Sequence, residues 1–243
     1  MPFTFSHPAI ILPLKYLPKK WLSLTGLIIG SMTPDFEYFI RMKVQSNYSH
    51  TISGIFWFDL PLGVFLCFIF HNVVKNQLFD NLSGNIQSRL ITFKTFKWNE
   101  YFKHNWIVVI VSILIGTASH LFWDSFTHDN GYFVNRIPEL KESLLIFGRN
   151  IPFLKIAQHF SSFTGAVIIF FSIYKLPKNK IDKSSCNVLY WILVLLLSTI
   201  IFSIRFTLGL SINKYGHIIV SAISSFLFAL ILTPFFLKFK KQP

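Results

Sequence analysis

The chain is 243 residues long, with 52% hydrophobic, 18% aromatic and only 14% charged residues. That charged share is about half the usual one and too small to cover the core of a soluble domain of this length, so composition excludes an ordinary water-soluble fold and points to lipid as the main solvent. The formal charge of +13 then belongs to loops that meet phospholipid headgroups rather than to a nucleic-acid surface. Two cysteines, Cys67 in an apolar stretch and Cys186 in a basic loop, build neither a disulfide framework nor a thiolate metal site.

A helix needs about 20 apolar residues to cross the hydrocarbon core. In chain order, 22–32 is apolar but too short, and Pro34 follows it. It is expected as an interfacial or half-inserted helix continued by 36–40. Full spans are expected at 52–74, 106–126, 162–176, 188–210 and 217–237, the third reaching back toward His159. Pro61 should kink the first of these and leave a carbonyl free. No basic-then-apolar leader with a small-residue cleavage site opens the chain, and no internal repeat is visible. The expected fold class is an all-α polytopic membrane helical bundle of about five spans plus the short N-terminal helix. Residues 1–176 hold the chemistry-bearing side chains, and 177–243 add a C-terminal pair of membrane helices to the same bundle.

Orientation follows from basic residues in the loops. The connections 75–105 and 175–187 and the tail after 237 carry 12 Lys and Arg in 50 positions, against 10 in 94 for 1–53, 127–161 and 211–216. The denser set is expected in the cytoplasm, which places the N-terminus and the 127–161 loop outside.

The second span holds His120, Asp124 and His128 at i, i+4 and i+8. Four residues advance a helix by about 400°, so the three side chains fall on nearly one face, as the two histidines of H-E-x-x-H do. A carboxylate at membrane depth is costly and marks a functional site by default. His7, Asp35, His50 (before the first full span) and His159 (opening the third) belong to the same outward set, whereas His71, His104 and His217 do not. Each has a plainer reading as well. A single His near a helix end is commonly an interfacial hydrogen-bonder, Asp35 after Pro34 reads equally as a helix N-cap, and His128 can lie beyond the helix in the turn that follows. Taken together, imidazoles and carboxylates without Cys are the donor set of a hydrolytic zinc or manganese site, holding one or two ions. Such an ion lowers the pKa of bound water toward about 7. Asp35 and Glu37 are the candidate catalytic carboxylates, with Asp129 as another proton acceptor. Asp59 and Arg205, both within spans, are expected to form a buried ion pair, or Asp59 to orient a ligand imidazole.

The opening Met1-Pro2-Phe3-Thr4-Phe5-Ser6-His7-Pro8, the segment Gly30-Ser31-Met32-Thr33-Pro34-Asp35-Phe36-Glu37-Tyr38, and Ser49-His50 resemble an uncharacterised family of small bacterial membrane proteins, a domain of unknown function. Phe58-Asp59-Leu60-Pro61-Leu62-Gly63, Ser119-His120-Leu121-Phe122-Trp123-Asp124 and Gln158-His159-Phe160-Ser161-Ser162 fit it too, so the resemblance runs over roughly residues 1–175. More loosely, the order His, P-D, S-H, H-x-x-x-D is similar to membrane-bound metal-dependent hydrolases of bacterial inner membranes and to the helical zinc-dependent phospholipase C and nuclease fold. That similarity implies His7, Asp35, His50, His120 and Asp124 as metal ligands, joined by His128 and His159. The phospholipases differ in being soluble, in binding metal through a mature N-terminal Trp and in using H-x-x-x-E late in the chain. Here position 163, four after His159, is Phe, so one or two ions are expected rather than three.

The expectation is a hydrolase of the bacterial cytoplasmic membrane, using a divalent metal, zinc first, on a phosphoester such as a phospholipid or lipid-linked phosphate at the outer headgroup level. Lys155 and Arg149 would attract the anion. The alternative is a non-catalytic integral membrane protein with a metal-binding or structural role. An ion transporter would usually show inverted repeats. The partner expected is membrane lipid and not nucleic acid: the 89–104 loop, with Arg89, Lys94, Lys97, Trp98 and Lys103, reads as an amphipathic segment lying on lipid. No oligomeric state is written in the sequence.

Overall fold

The computed structural model describes residues 3–18, 20–181, 187–210 and 213–239; Cys186 and the first two residues of the opening motif lie outside the described residues. Three short helical segments, Thr4–Ser6, Pro8–Ile11 and Leu12–Tyr16, lead to α1 (Leu24–Arg41), α2 (Ile52–Asp80), α3 (Gly84–Leu90) and α4 (Trp98–Asp124). An antiparallel hairpin of β1 (Ser143–Ile146) and β2 (Arg149–Pro152) follows, with Ser143 opposite Pro152, and then α5 (Phe153–Tyr174), α6 (Val188–Thr207) and α7 (Tyr215–Phe239). The fold is an all-α polytopic bundle. Five helices, α2, α4, α5, α6 and α7, are long and apolar enough to cross a membrane, so the chain is an integral membrane protein.

The helix limits differ from the apolar runs for local reasons. The 29 residues of α2, rising about 1.5 Å each, exceed the roughly 30 Å hydrocarbon core. Thr51 caps its start, Oγ1 accepting from Gly54 N at 2.9 Å. Ahead of Pro61 the helix widens into a π turn over Ile55–Asp59, with Leu60 N donating to Ile55 O, which accommodates the proline inside one continuous helix. The backbone of α4 is non-helical at Asn105, next to the position where the apolar run begins, and a polar helical extension precedes it. Lys155, Gln158 and His159 hide the first turns of α5 from a hydropathy reading, although Leu154 and Gln158 are buried.

From Leu24 on, the short apolar segment at 22–32 is part of α1, an 18-residue helix that continues through Pro34. Most of it is buried, polar positions Ser31, Thr33, Asp35 and Glu37 included.

The chain forms two compact units that interleave in sequence. The first comprises Met1–Pro34, Tyr48–Val64 and Asn105–Ser172, the second Asp35–Asn47, Phe65–His104 and Ile173–Pro243, and the division falls inside α1. In the first unit, α1 and α4 approach closely. A Cβ at Gly30 would run into the Ile113 backbone, and one at Gly116 into Leu27 O and Ser31 N, so small residues set the helix separation, as in G-x-x-x-G contacts. Ser23 N donates to Ser112 Oγ at 2.7 Å in the same interface. The N-terminal turns are pinned to α5: Phe3 N donates to Ser162 Oγ (2.8 Å), and Ser6 Oγ to Ser162 O (2.7 Å).

In the second unit, Tyr190 and Val194 of α6 pack with Ala229 and Leu230 of α7 and with Val74. Met42, in the left-handed region at φ 50°, ends the helix, and its carbonyl accepts from Arg205 Nε (3.4 Å) and Ser221 Oγ (2.9 Å). Arg89 donates to Leu176 O and lies over the Tyr174 ring. Arg89 and Trp98 are buried, so the 89–104 segment is packed structure at these two positions.

Candidate metal centre

Pro34 explains how α1 reaches the second span. Having no N–H, it cannot bond Gly30 O, four residues back, and that carbonyl instead accepts from Thr117 Oγ1 of α4 at 3.3 Å. The next carbonyl, Ser31 O, takes His120 Nδ1 at 2.7 Å. A carbonyl only accepts, so His120 carries a proton on Nδ1 and directs Nε2 toward Asp124, the orientation that metal-bound histidines take.

Nε2 of His120 lies 3.2 Å from Asp124 Oδ2, one turn along the same helix. Three more imidazoles of the first unit close on that carboxylate: His7 Nε2 at 3.6 Å from Oδ1, His50 Nε2 at 3.5 Å and His128 Nδ1 at 3.6 Å from Oδ2. His50 is placed by the capped start of α2, and its Nδ1 meets Ser49 Oγ at 3.0 Å. His7 stacks on His120 with centroids 3.8 Å apart and planes 16° apart. Two imidazolium rings so placed would repel, so the stack suits neutral imidazoles, the form that binds a cation. His128 does lie beyond α4, in the turn, yet its N–H still reaches back to Asp124 O (3.0 Å) and its Nδ1 to the same oxygen (3.1 Å). The i, i+4, i+8 face therefore survives the end of the helix. Burial pushes the His128 imidazole below its ordinary pKa, against the opposing pull of the Asp124 carboxylate.

Asp35 follows Pro34 within the same unbroken helix, so it is not an N-cap. Asp35, His50, His120 and Asp124 each offer one ligand atom, all within 4.8 Å of one another. Charge-assisted hydrogen bonds run to about 2.7–2.9 Å, and the 3.2–3.6 Å contacts around Asp124 are longer. They match another distance: two ligand atoms each about 2.1 Å from a tetrahedral ion stand about 3.4 Å apart. The group is therefore spaced as a buried Asp/His set that can hold a metal ion. Asp35 and His120 are fully buried and Asp124 nearly so, whereas His50 and His128 are half-buried.

Other expected site residues stand elsewhere. Glu37 is buried, with Arg41 Nε at 2.8 Å, Asn47 N at 2.9 Å and Ser46 Oγ at 3.2 Å, the pattern of a carboxylate that shapes the 42–47 loop. His159 is exposed on α5: one residue turns a helix by about 100°, so the neighbour of buried Gln158 faces outward with Phe160. The structure does not bring it into the group. Asp59 is fully buried in the π turn of α2, and Arg205 donates to the Met42 carbonyl. Asp129 is exposed and accepts from Lys155 Nζ at 3.4 Å, and Arg149 is exposed on β2.

Three supports were not read from sequence: Ser31 through its carbonyl, Thr117, and the Gly26/Gly30 pair. The last carries a signal, G-x-x-x-G in an apolar segment, which marks close helix approach; a backbone carbonyl carries none.

No curated protein and no solved structure matches the chain. A family profile described as Domain of unknown function (DUF4184) matches residues 1–235. With the opening His7 motif, the Pro34-Asp35 helix and the His120–Asp124 pair all inside that match, the chain belongs to the DUF4184 family of domains of unknown function.

Proposed function

We propose that this integral membrane protein is a metal-dependent hydrolase acting on a phosphoester at the outer membrane–water interface. The observation that carries the reading is the set of His7, His50 and His120 nitrogens at 3.2–3.6 Å from the Asp124 carboxylate, with Asp35 close enough to share a cation with His50, His120 and Asp124. Oxygen and nitrogen donors without thiolate suit a hydrolytic ion, zinc first and manganese second. Such an ion supplies a Lewis acid and lowers the pKa of its water toward about 7.

The chain's own residues supply the rest. Ser31 O and Ser49 Oγ orient two of the imidazoles. His50 and His128 are the two rings of the cluster that are only half-buried. His128 Nδ1 is held by Asp124 O, so its Nε2 is the ring atom that can exchange a proton there. The side facing outward follows from the loop charges, and the cytoplasmic membrane of a bacterium is the setting this implies.

The test is purified protein in detergent, with bound metal counted by mass spectrometry and turnover followed on bis(p-nitrophenyl) phosphate. Wild type is expected to carry one or two ions per chain and to hydrolyse the probe; His120→Ala and Asp124→Ala should lose both properties. Unchanged metal content in both variants refutes the metal centre, and stoichiometric metal without turnover of any phosphoester leaves a structural metal protein.

A further inference from the structure

A cavity of about 400 Å3 opens in the first unit between the N-terminal turns, the end of α4 and α5; His7, Ile10, Trp123, Phe160 and Ile168 are among its walls. Its size falls in the usual range for small-molecule pockets, about 300–1,000 Å3. His7 belongs to two places at once, since it lines this cavity and stands 3.6 Å from the Asp124 carboxylate.

The walls are mostly hydrocarbon. Of the three hydroxyl residues that border it, Ser6, Ser161 and Thr164, two are spent on main chain, Ser6 Oγ on Ser162 O (2.7 Å) and Ser161 Oγ on Gln158 O (3.0 Å). The rim residues Phe160, Ile168 and Ile10 are exposed, and α5 is one of the helices able to cross a membrane, so the phase at the mouth is acyl chain. An apolar space with a polar centre at one wall fits an amphiphile and not a free ionic phosphoester.

We infer that this cavity receives the hydrocarbon tail of a lipid phosphoester whose phosphate meets the metal centre, with His7 the wall shared by tail and centre. The inference rests on the hydrolase reading. Lipid tails are as apolar as the cavity, so entry brings little hydrophobic gain; what the cavity contributes is register, holding the phosphorus at the centre, where misplacement by about 1 Å costs on the order of a hundredfold in rate. The reaction is a hydrolysis: an oxygen of water bonds to phosphorus, the phosphorus–oxygen bond to the leaving alcohol breaks, and a water proton ends on that alcohol oxygen. No oxidant or reductant enters.

The metal-loaded protein is assayed with p-nitrophenyl phosphodiesters bearing alkyl chains of increasing length, as wild type, as Ala157→Phe, which fills the cavity from α5, and as Phe171→Leu, on the same helix outside it. Trp123 gives a second readout in vesicles of phosphatidylglycerol with brominated acyl chains, as the quenching lost in Trp123→Phe. Wild type should favour long chains by tenfold or more, Phe171→Leu should keep that preference, and Ala157→Phe should flatten it and abolish the Trp123 quenching. Short-chain and long-chain probes hydrolysed equally by wild type, or an unaltered preference in Ala157→Phe, overturns the tail site and leaves the hydrolase standing. Absence of hydrolysis of every probe by metal-loaded wild type overturns the hydrolase and the tail assignment together, whatever the quenching.

Discussion

Gly30→Ala tests whether the helix contact in the first unit holds the metal centre together. A Cβ at Gly30 would meet the Ile113 carbonyl oxygen first and would sit 2.8 Å from Ile113 Cα and 2.9 Å from its carbonyl carbon, where ordinary contact begins near 3.4 Å. The obstacle is backbone, so α1 and α4 must part by roughly 0.6 Å or more, at an overpacking cost of about 1–3 kcal/mol. Ser31 is the next residue along, and the same displacement stretches its 2.7 Å bond to His120 Nδ1 toward roughly 3.3 Å, beyond the good range. Losing the group that orients a ligand histidine typically lowers metal affinity ten- to a hundredfold. Zinc competition against a chromophoric chelator and thermal unfolding in the same detergent measure the two effects. A variant with wild-type zinc affinity and wild-type Tm would refute the reasoning, because no route remains from the added methyl to an unmoved His120.

Three other substitutions separate roles. Thr117→Val removes the hydroxyl that meets the carbonyl freed by Pro34 and should cost about 1 kcal/mol or more, read as about 2–4 °C of Tm per kcal/mol, with metal still bound. Ser49→Ala withdraws the partner of His50 Nδ1; about tenfold weaker zinc binding is expected with little change in Tm, and equal affinity would show that Ser49 does not orient the ring. Glu37→Gln weakens the Arg41, Ser46 and Asn47 contacts and should lower Tm by several degrees while metal stoichiometry stays that of wild type; lost turnover at unchanged Tm would instead return Glu37 to the chemistry.

Composition and hydropathy alone settle that this is a bundle of membrane helices, because crossing a bilayer requires long apolar runs whose backbone is satisfied within each helix. The spans were legible to within a few residues except where polar side chains extend a helix beyond its apolar run, as at 75–80, 98–105 and 153–161. The pair His120 and Asp124 was equally legible, since the distance between them is set by one turn of helix. Pro34 misleads a local reading: it suggests a helix end, yet α1 continues through it, because a partner helix satisfies the carbonyl it frees.

What the linear order could not decide is which of the remaining polar residues meet that pair. His7 and His50 arrive because the N-terminal turns are fastened to α5 and because Thr51 caps α2, whereas His159, alike in chemistry, faces outward on its helix. Glu37, two residues from Asp35, is given to a loop. These assignments depend on helix rotation and on interhelical distance, both fixed by side-chain and backbone packing between segments far apart in the chain, and no spacing within one segment encodes them.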